Sequence, residues 1–444
     1  MNQHSKEDQN HESPISMGIL AKKPVTRIWF FIIYFAIAAS FLAHRVIYIQ
    51  LPDFRLSPYR ISLVLLVFGL IVELWKKEIT LSELFFPKKS RFSIWVFIIW
   101  SLYAILSVFW VYDRGEWFRD VFFITSGTFM IVFLNAHLNS IDKIKRALIP
   151  AVIMLAFHNT VSWYEIITRN YHFVTEPNAV AYAKAAKRVP ISTLTNPNDL
   201  AMALMFGIVF ATILFLVSKR IRYKVFLGLL VFSSLILLIQ TNSRANVLGF
   251  IMGILFVSLL FLKMVRLRFR FLSIFIMLMG IIILEAQFGL FSHIWHSYFN
   301  SLSGNSESTR VNLLKNGLVF LKETWGLGVG AGNIEYWMEN FSVYPTGRIT
   351  NIHNWWGELL TGYGIIVTSL YLLFYMLLFY SMYTKYNQSN NVHIKIFSAG
   401  FMTLMVMFIL SSVSSSSNII RDWLWVSWGI VIAFQNLESE IDNG

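Results

Sequence analysis

The sequence predicts an all-α, polytopic membrane protein of about twelve transmembrane helices, with one large extracytoplasmic loop near the C-terminus. Three observations predict it. The 444-residue chain is 56% hydrophobic and only 14% charged, where soluble domains carry about 25% charged residues, and its mean hydropathy is +0.59. Apolar runs follow one another along almost the whole chain, separated by short basic segments. Residues 304–364 break that pattern, forming the longest polar excursion between two apolar runs and holding most of the side chains able to do chemistry.

Taken in order, the N-terminal residues are polar, with Lys22, Lys23 and Arg27 preceding the first apolar run. That run continues past Ala36-Ile37-Ala38, so it reads as an uncleaved first span rather than a signal peptide. Spans are expected at roughly 28–43, 61–75, 92–111, 121–138, 148–167, 199–218, 225–241, 246–262, 271–291, 356–383, 396–412 and 423–435. The chain then divides into an N-terminal tail (1–27), nine spans with an outer loop at 168–198 (28–291), the large loop (292–355), three further spans (356–435) and a C-terminal tail (436–444).

Charge orients the spans. Segments on the N-terminal side hold 22 of the 37 basic residues, and 14 lysines against 4. By the positive-inside rule both termini are cytoplasmic. The net charge of +13 is scattered over short loops, so it is explained by membrane topology and implies no nucleic-acid partner. The chain has no cysteine, which excludes disulfides, thiolate catalysis and zinc–thiolate sites.

The outer side favours arginine: Arg45, Arg55, Arg60, Arg114, Arg119, Arg169, Arg188, Arg244, Arg310, Arg348 and Arg421. Some of these are expected to snorkel to the interface. The planar guanidinium, however, is also the side chain suited to bidentate binding of phosphate. Arg244 stands out because it follows Ser243 in a very tight turn between two apolar runs, where a charge should face protein or water rather than lipid. Asn198, after Pro197, opens the sixth span at the end of the other long outer loop, which also contains Arg188.

Within the large loop, Val311, Leu314, Leu318 and Leu321 recur at helical spacing with Arg310, Lys315 and Lys322 between them. This predicts an amphipathic helix at the membrane surface, started by Ser308 or Thr309. A helix start bearing Arg310 suits an anion. Gly326, Gly328, Gly330 and Gly332 alternate next, but no strand precedes them and no Lys-Ser/Thr follows, so they do not make a nucleotide loop. They suit either a tight loop whose amides approach a ligand or packing on a helix. His353-Asn354 opens the tenth span; histidine titrates near neutral pH and could accept a proton, or could simply cap or pack.

His293 and His296 have a spacing that a metal could use, with no third ligand evident, and no metal site is expected. His44, His137, His158 and His172 show no partner in the sequence. Asp113, Glu116 and Asp120 share a segment with Arg114 and Arg119 and read as a salt-bridged loop. Glu335 and Glu339 lie one turn apart if helical. Asp199 and Asp422 read as helix caps, while Glu358, just inside the tenth span, suggests function or a buried partner.

Together, Ser243-Arg244 at a tight outer turn, Arg310 opening the loop helix, the alternating glycines and His353-Asn354, followed by Gly362 and Gly364, resemble the O-antigen ligase and polysaccharide polymerase superfamily, including its teichuronic acid polymerase type. Pro197-Asn198 fits as well. The residues after His353-Asn354, Trp355, Trp356 and an early Glu358, match more loosely. The resemblance implies a bacterial, multi-pass cell-membrane glycosyltransferase, inverting and without metal or other cofactor. Its donor would be a glycan on undecaprenyl diphosphate, used at the outer face. Arg244 and Arg310 would hold the diphosphate, and His353 would contact or deprotonate the acceptor hydroxyl. Ser243, Asn198, Arg188, Asn354, Gly328 and Gly330 would line the substrate. A glycan acceptor, the lipid bilayer, and flippase and chain-length regulator proteins would be its partners.

The residue chemistry agrees. A lipid diphosphate already leaves readily, so the reaction needs positive charge on the departing oxygens and one base for the hydroxyl. The absence of a paired-carboxylate motif fits a single displacement. A flippase or other transporter is the alternative, and should show inverted repeats with broken helices; the sequence shows neither. A non-catalytic scaffold would leave Arg244 unexplained. Polymerase and ligase share these motifs. A composition rich in Lys, Asn and Ile and free of cysteine leans toward a polymerase of teichuronic acid, capsule or exopolysaccharide.

Overall fold

The computed structural model describes residues 27–42, 46–50, 55–173, 189–194, 196–262, 306–414 and 417–438. The expected ninth span (271–291), Arg188, His44, Arg45, His293 and His296 lie outside the described residues, as does most of the outer loop at 168–198.

The described chain is helical. α1 (Arg27–Ser40) is followed by a two-residue antiparallel ladder pairing Ile49–Gln50 with Arg55–Leu56. Then come α2 (Pro58–Trp75), the short α3 (Leu81–Phe85), α4 (Arg91–Leu106), α5 (Arg114–His137), α6 (Ile141–Thr168), α7 (Pro197–Val217), α8 (Ile221–Gln240) and α9 (Arg244–Leu262). The large loop supplies α10 (Ser306–Glu323) and α11 (Ile334–Phe341). The chain closes with α12 (Trp355–Gln388), α13 (Val392–Ser411) and α14 (Asp422–Asn436).

Small polar residues start the apolar helices. Ser57 with Pro58 opens α2, Asp113 opens α5, Ser140 opens α6, Asn196 with Pro197 opens α7, and Asn391 opens α13, each accepting a hydrogen bond from a first-turn amide. That contact satisfies amides that have no partner inside the helix. Asn196 therefore takes the cap expected of Asp199.

Among the described residues, nine helices are long and apolar enough to cross a membrane. α1 and α14 are shorter, 14 and 15 residues. At about 1.5 Å per residue, such a helix falls short of a hydrocarbon core about 30 Å thick. α14 is nevertheless buried from Asp422 to Gln435. It packs against α5 through Gly127, where a Cβ would strike the Trp425 ring at 2.2 Å; small residues let membrane helices approach closely. α7 is the central helix, with 200–211 buried throughout.

α12 explains the unusual length of the tenth span. It is two helical pieces broken at Gly364, whose φ of 72° and ψ of −173° leave the helical region. The break sits beside Trp100 and Tyr103 near the end of α4, at the loop face of the bundle. A broken helix was not legible in the sequence; its position near one end of the bundle differs from the midplane break of transporters.

The large loop has its own small core of Leu313, Phe320, Val329, Met338 and Ile352. α10 buries Leu313, Asn316 and Phe320 there and leaves Val311 and Leu318, from the stripe read in the sequence, exposed on another side. The helix begins two residues before the expected Ser308 cap. Asn316 ties the loop together, accepting from the Val343 and Tyr344 amides and donating to the Tyr344 carbonyl. Asn333 fastens it to the bundle, accepting from the Tyr112 and Asp113 amides at 2.9 and 2.8 Å.

Candidate active site

Four of the residues singled out by sequence lie on two turns at the loop face. The first turn joins α8 to α9. Asn242 adopts a left-handed φ of 54°, which asparagine tolerates better than most residues, and the chain reverses within Thr241–Ser243 before α9 starts at Arg244. Ser243 is buried and donates to Asn198 Oδ1 at 2.6 Å. Asn246 Nδ2 then donates to Ser243 Oγ at 2.7 Å, to the Asn198 carbonyl at 3.2 Å and to Ser414 Oγ at 3.3 Å. Asn198 and Ser243 thus meet in one polar knot that also recruits α13. Arg244 is exposed above it, at the amide-rich start of a 19-residue helix. A guanidinium at a helix N-terminus suits an anion.

The second turn carries His353. Its φ is 52°, a left-handed conformation uncommon outside glycine. Two asparagines hold it there. Asn351 Oδ1 accepts from the His353 amide at 2.8 Å. Asn354 Oδ1 caps α12 by accepting from Trp356 and Gly357 at 3.1 and 3.3 Å. Backbone strain sustained by its surroundings concentrates at functional sites. The half-buried imidazole follows Ile352, which is anchored in the small loop core.

Hydrogen bonds connect the two turns. The Trp355 amide donates to the Ser412 carbonyl at 3.0 Å, two residues before the Ser414 that meets Asn246. Arg244 and His353 are therefore braced by the same end of α13. α10, which carries Arg310 near its start, packs on the first piece of α12. A Cβ on Gly357 would meet Leu314 at 2.7 Å, and one on Gly317 would meet Thr361 at 2.4 Å. The two helices run in parallel along this contact.

Gly328 and Gly330 are occupied by the fold. At the break in α12 the Ile365 amide leaves the Thr361 carbonyl and donates to Gly326 at 2.9 Å. The Val329 and Gly330 amides replace the missing helical donors, at 2.9 Å to Thr361 and 2.9 Å to Gly362. The Gly328 amide donates to Thr324 Oγ1 at 3.0 Å. Of the two roles that suit alternating glycines, packing on a helix describes what these amides do.

Several other candidates serve the framework. Arg60 lies over the Phe122 and Phe123 rings at 5.0 and 5.6 Å and faces Asp422. Arg421 pairs with the buried Asp199, and Arg119 pairs with Glu116. Asp113 caps α5, but Asp120, one turn beyond Glu116, is buried rather than solvated. His137 has a partner invisible in the sequence, Glu73 at 2.8 Å, and His158 bonds Ser192 and the Phe41 carbonyl. Among the described residues, no three His, Asp or Glu side chains gather closely enough to hold a metal ion.

Residues 229–372, which contain the Ser243-Arg244 turn, Arg310, the glycine run and His353, match the family model described as O-Antigen ligase. Over 93% of its length the chain is also 27% identical to the teichuronic acid biosynthesis protein TuaE of Bacillus subtilis (strain 168), covering 85% of that relative.

Proposed function

We propose that the protein is an inverting, metal-independent membrane glycosyltransferase that assembles a cell-surface polysaccharide. Its donor is a glycan on undecaprenyl diphosphate, used at the outer face of the bacterial cell membrane, with both termini in the cytoplasm. The observation that supports this reading is that the end of α13 braces both the Ser243-Arg244 turn, through Asn246 and Ser414, and the His353-Asn354 turn, through Trp355 and Ser412.

In this mechanism Arg244 and Arg310 grip the diphosphate oxygens. His353 takes the proton from the acceptor hydroxyl as its oxygen attacks the anomeric carbon. The bond from that carbon to the diphosphate oxygen breaks, the configuration inverts, and undecaprenyl diphosphate leaves with the bonding electrons. Charge on the leaving group is met by the fixed guanidinium groups, which act most strongly where water is excluded. Asn198 and Ser243 hold the turn beneath Arg244.

The similarity to a teichuronic acid biosynthesis protein supports a polymerase of teichuronic acid or a related wall polysaccharide, working beside flippase and chain-length regulator proteins. A ligase that hands finished glycan to another acceptor uses the same three side chains. Gel analysis of surface polysaccharide in a deletion strain separates them. A polymerase leaves single lipid-linked repeat units and no long polymer. A ligase leaves long lipid-linked polymer that never reaches its acceptor. Unchanged polysaccharide would sink the glycosyltransferase reading and favour transport.

A further inference from the structure

On the side of the bundle away from the large loop, an apolar groove opens among α7, α8, α9 and α13. Helix direction orients it. Leu216 in the last turn of α7, Phe261 in the last turn of α9 and Lys395 in the first turn of α13 line its mouth. Ile208, Phe250 and Met407, further along the same helices, line its inner end. Its volume is about 520 Å³, within the range of ligand sites, about 300–1,000 Å³.

Close helix contacts frame the groove. α9 seats on α13 at Gly253, where a Cβ would stand 2.4 Å from the Met407 side chain, and at Gly249, where one would stand 2.7 Å from the Met407 carbonyl oxygen. α13 seats on α7 at Gly400, where a Cβ would meet Ile213 at 2.6 Å. Small residues let membrane helices close up in this way. Val231 of α8 and Ile254 of α9 line the space that remains, and its walls are apolar apart from Lys395 and a few hydroxyl groups.

Length and charge select the ligand. From Lys395 to Met407 the groove follows α13 for about 18 Å, at about 1.5 Å per residue. One leaflet of a hydrocarbon core about 30 Å thick is about 15 Å deep, so the groove has the reach of a single acyl chain entering from its mouth. The mouth is cationic. Beside Lys395, the turn that follows Leu216 carries Lys219, Arg220 and Arg222, all exposed. No Asp or Glu occurs in 216–230 or 385–400. Basic residues at that depth attract anionic headgroups, and basic sites between membrane helices suit them. A soluble anion would leave the groove unused, and an uncharged lipid would leave the cations unused.

We propose that this groove binds an anionic phospholipid of the leaflet opposite the large loop, with one acyl chain lying against α7, α9 and α13 and the phosphate held by Lys395 together with Lys219 and Arg220. The site lies at the other ends of α9 and α13 from the Ser243-Arg244 and His353 turns, and it does not depend on the glycosyltransferase reading. A ligand that binds only the folded protein also stabilises it, and this chain would pack on α7, the central helix.

The test uses the full chain in detergent micelles, titrated with palmitoyl-oleoyl phosphatidylglycerol and with phosphatidylcholine bearing the same chains. Native mass spectrometry reads the bound lipid. Wild type retains phosphatidylglycerol at a single saturable site and binds it about tenfold or more tighter than phosphatidylcholine. Lys395→Gln weakens phosphatidylglycerol about fivefold, the scale of one basic residue beside an anionic membrane surface. Ile254→Trp fills the groove from a position that is 44% exposed, where folding is not in question, and weakens both lipids. Leu259→Trp, exposed on the same helix but outside the groove, changes neither. Equal affinity for the two lipids, or wild-type affinity in both Lys395→Gln and Ile254→Trp, overturns the proposal. Displacement of phosphatidylglycerol by a lower concentration of undecaprenyl phosphate also overturns it, and gives the groove to a polyprenyl chain. The chain has no native cysteine, so a disulfide between Thr212→Cys and a cysteine introduced within 271–291 would show the protein itself filling the groove, which overturns the proposal as well.

Discussion

A Cβ placed on Gly328 would stand 2.5 Å from the backbone nitrogen of Gly364, so main chain packs directly on main chain where the glycine run meets the broken helix. Both residues have positive φ, 84° and 72°. Gly328→Ala therefore adds strain in the left-handed region to a backbone collision, at a cost of about 2 kcal/mol or more. Gly347 shares the positive φ, at 60°, but a Cβ there meets nothing within 4 Å. The midpoint of thermal unfolding in detergent should fall clearly further for Gly328→Ala than for Gly347→Ala. Equal shifts would mean that the run does not brace the break.

That contact marks the limit of what the sequence discloses. Hydropathy places the spans because each helix must present about 20 apolar residues to lipid. The Ser243-Arg244 turn is legible because it interrupts two apolar runs, and His353 because it begins one. The pairing of Thr361 with Val329 depends on a break at Gly364 that looks, in sequence, like any glycine in a long apolar helix. Glu73 and His137 meet across 64 positions, and Asp199 and Arg421 across 222. Such partners are set by helix packing, which carries no local pattern. The α10 stripe misleads for a related reason: the helix has apolar residues on two sides, and tertiary contacts choose Leu313 and Phe320 for the core.

Arg244 tests the donor site. Lysine keeps the charge but loses the planar fork that meets two phosphate oxygens. Arg244→Lys should cut turnover on lipid-linked substrate by about tenfold or more, the scale of a lost charge-assisted hydrogen bond. Thermal stability should hold, since the side chain is exposed while Ser243 and Asn246 secure the turn beneath it. Wild-type turnover in this variant would contradict the phosphate role.

His353 separates chemistry from binding. His353→Ala removes the proposed proton acceptor while Asn351 and Asn354 still hold the turn through backbone amides. Transfer should fall by about 100-fold or more, the usual scale of general-base catalysis. Binding of lipid-linked donor, followed by fluorescence of a labelled analogue, should change little. Equal loss of both would identify the histidine as structural.

Chelation tests the source of positive charge. If the guanidinium groups of Arg244 and Arg310 neutralise the leaving diphosphate, EDTA should leave transfer by purified enzyme unchanged. A collapse restored by one divalent ion would assign that charge to a metal instead.

Asp199 and Arg421 test the framework beneath the site. Asp199 is fully buried at the start of α7, one residue from the Asn198 that receives the Ser243 hydroxyl. Its carboxylate pairs with Arg421, which precedes α14 and is itself mostly buried. Removing one member of a buried ion pair commonly costs about 3–5 kcal/mol, whereas replacing both with apolar residues can be neutral. Asp199→Asn should therefore lower the unfolding midpoint strongly, and Asp199→Leu combined with Arg421→Met should recover most of the loss. Activity should follow a different course. The double variant removes the tie between α7 and α14 that steadies Asn198, so transfer should stay depressed even where stability returns. A double variant that regains both would show that Asn198 and the Arg244 turn are positioned without this ion pair.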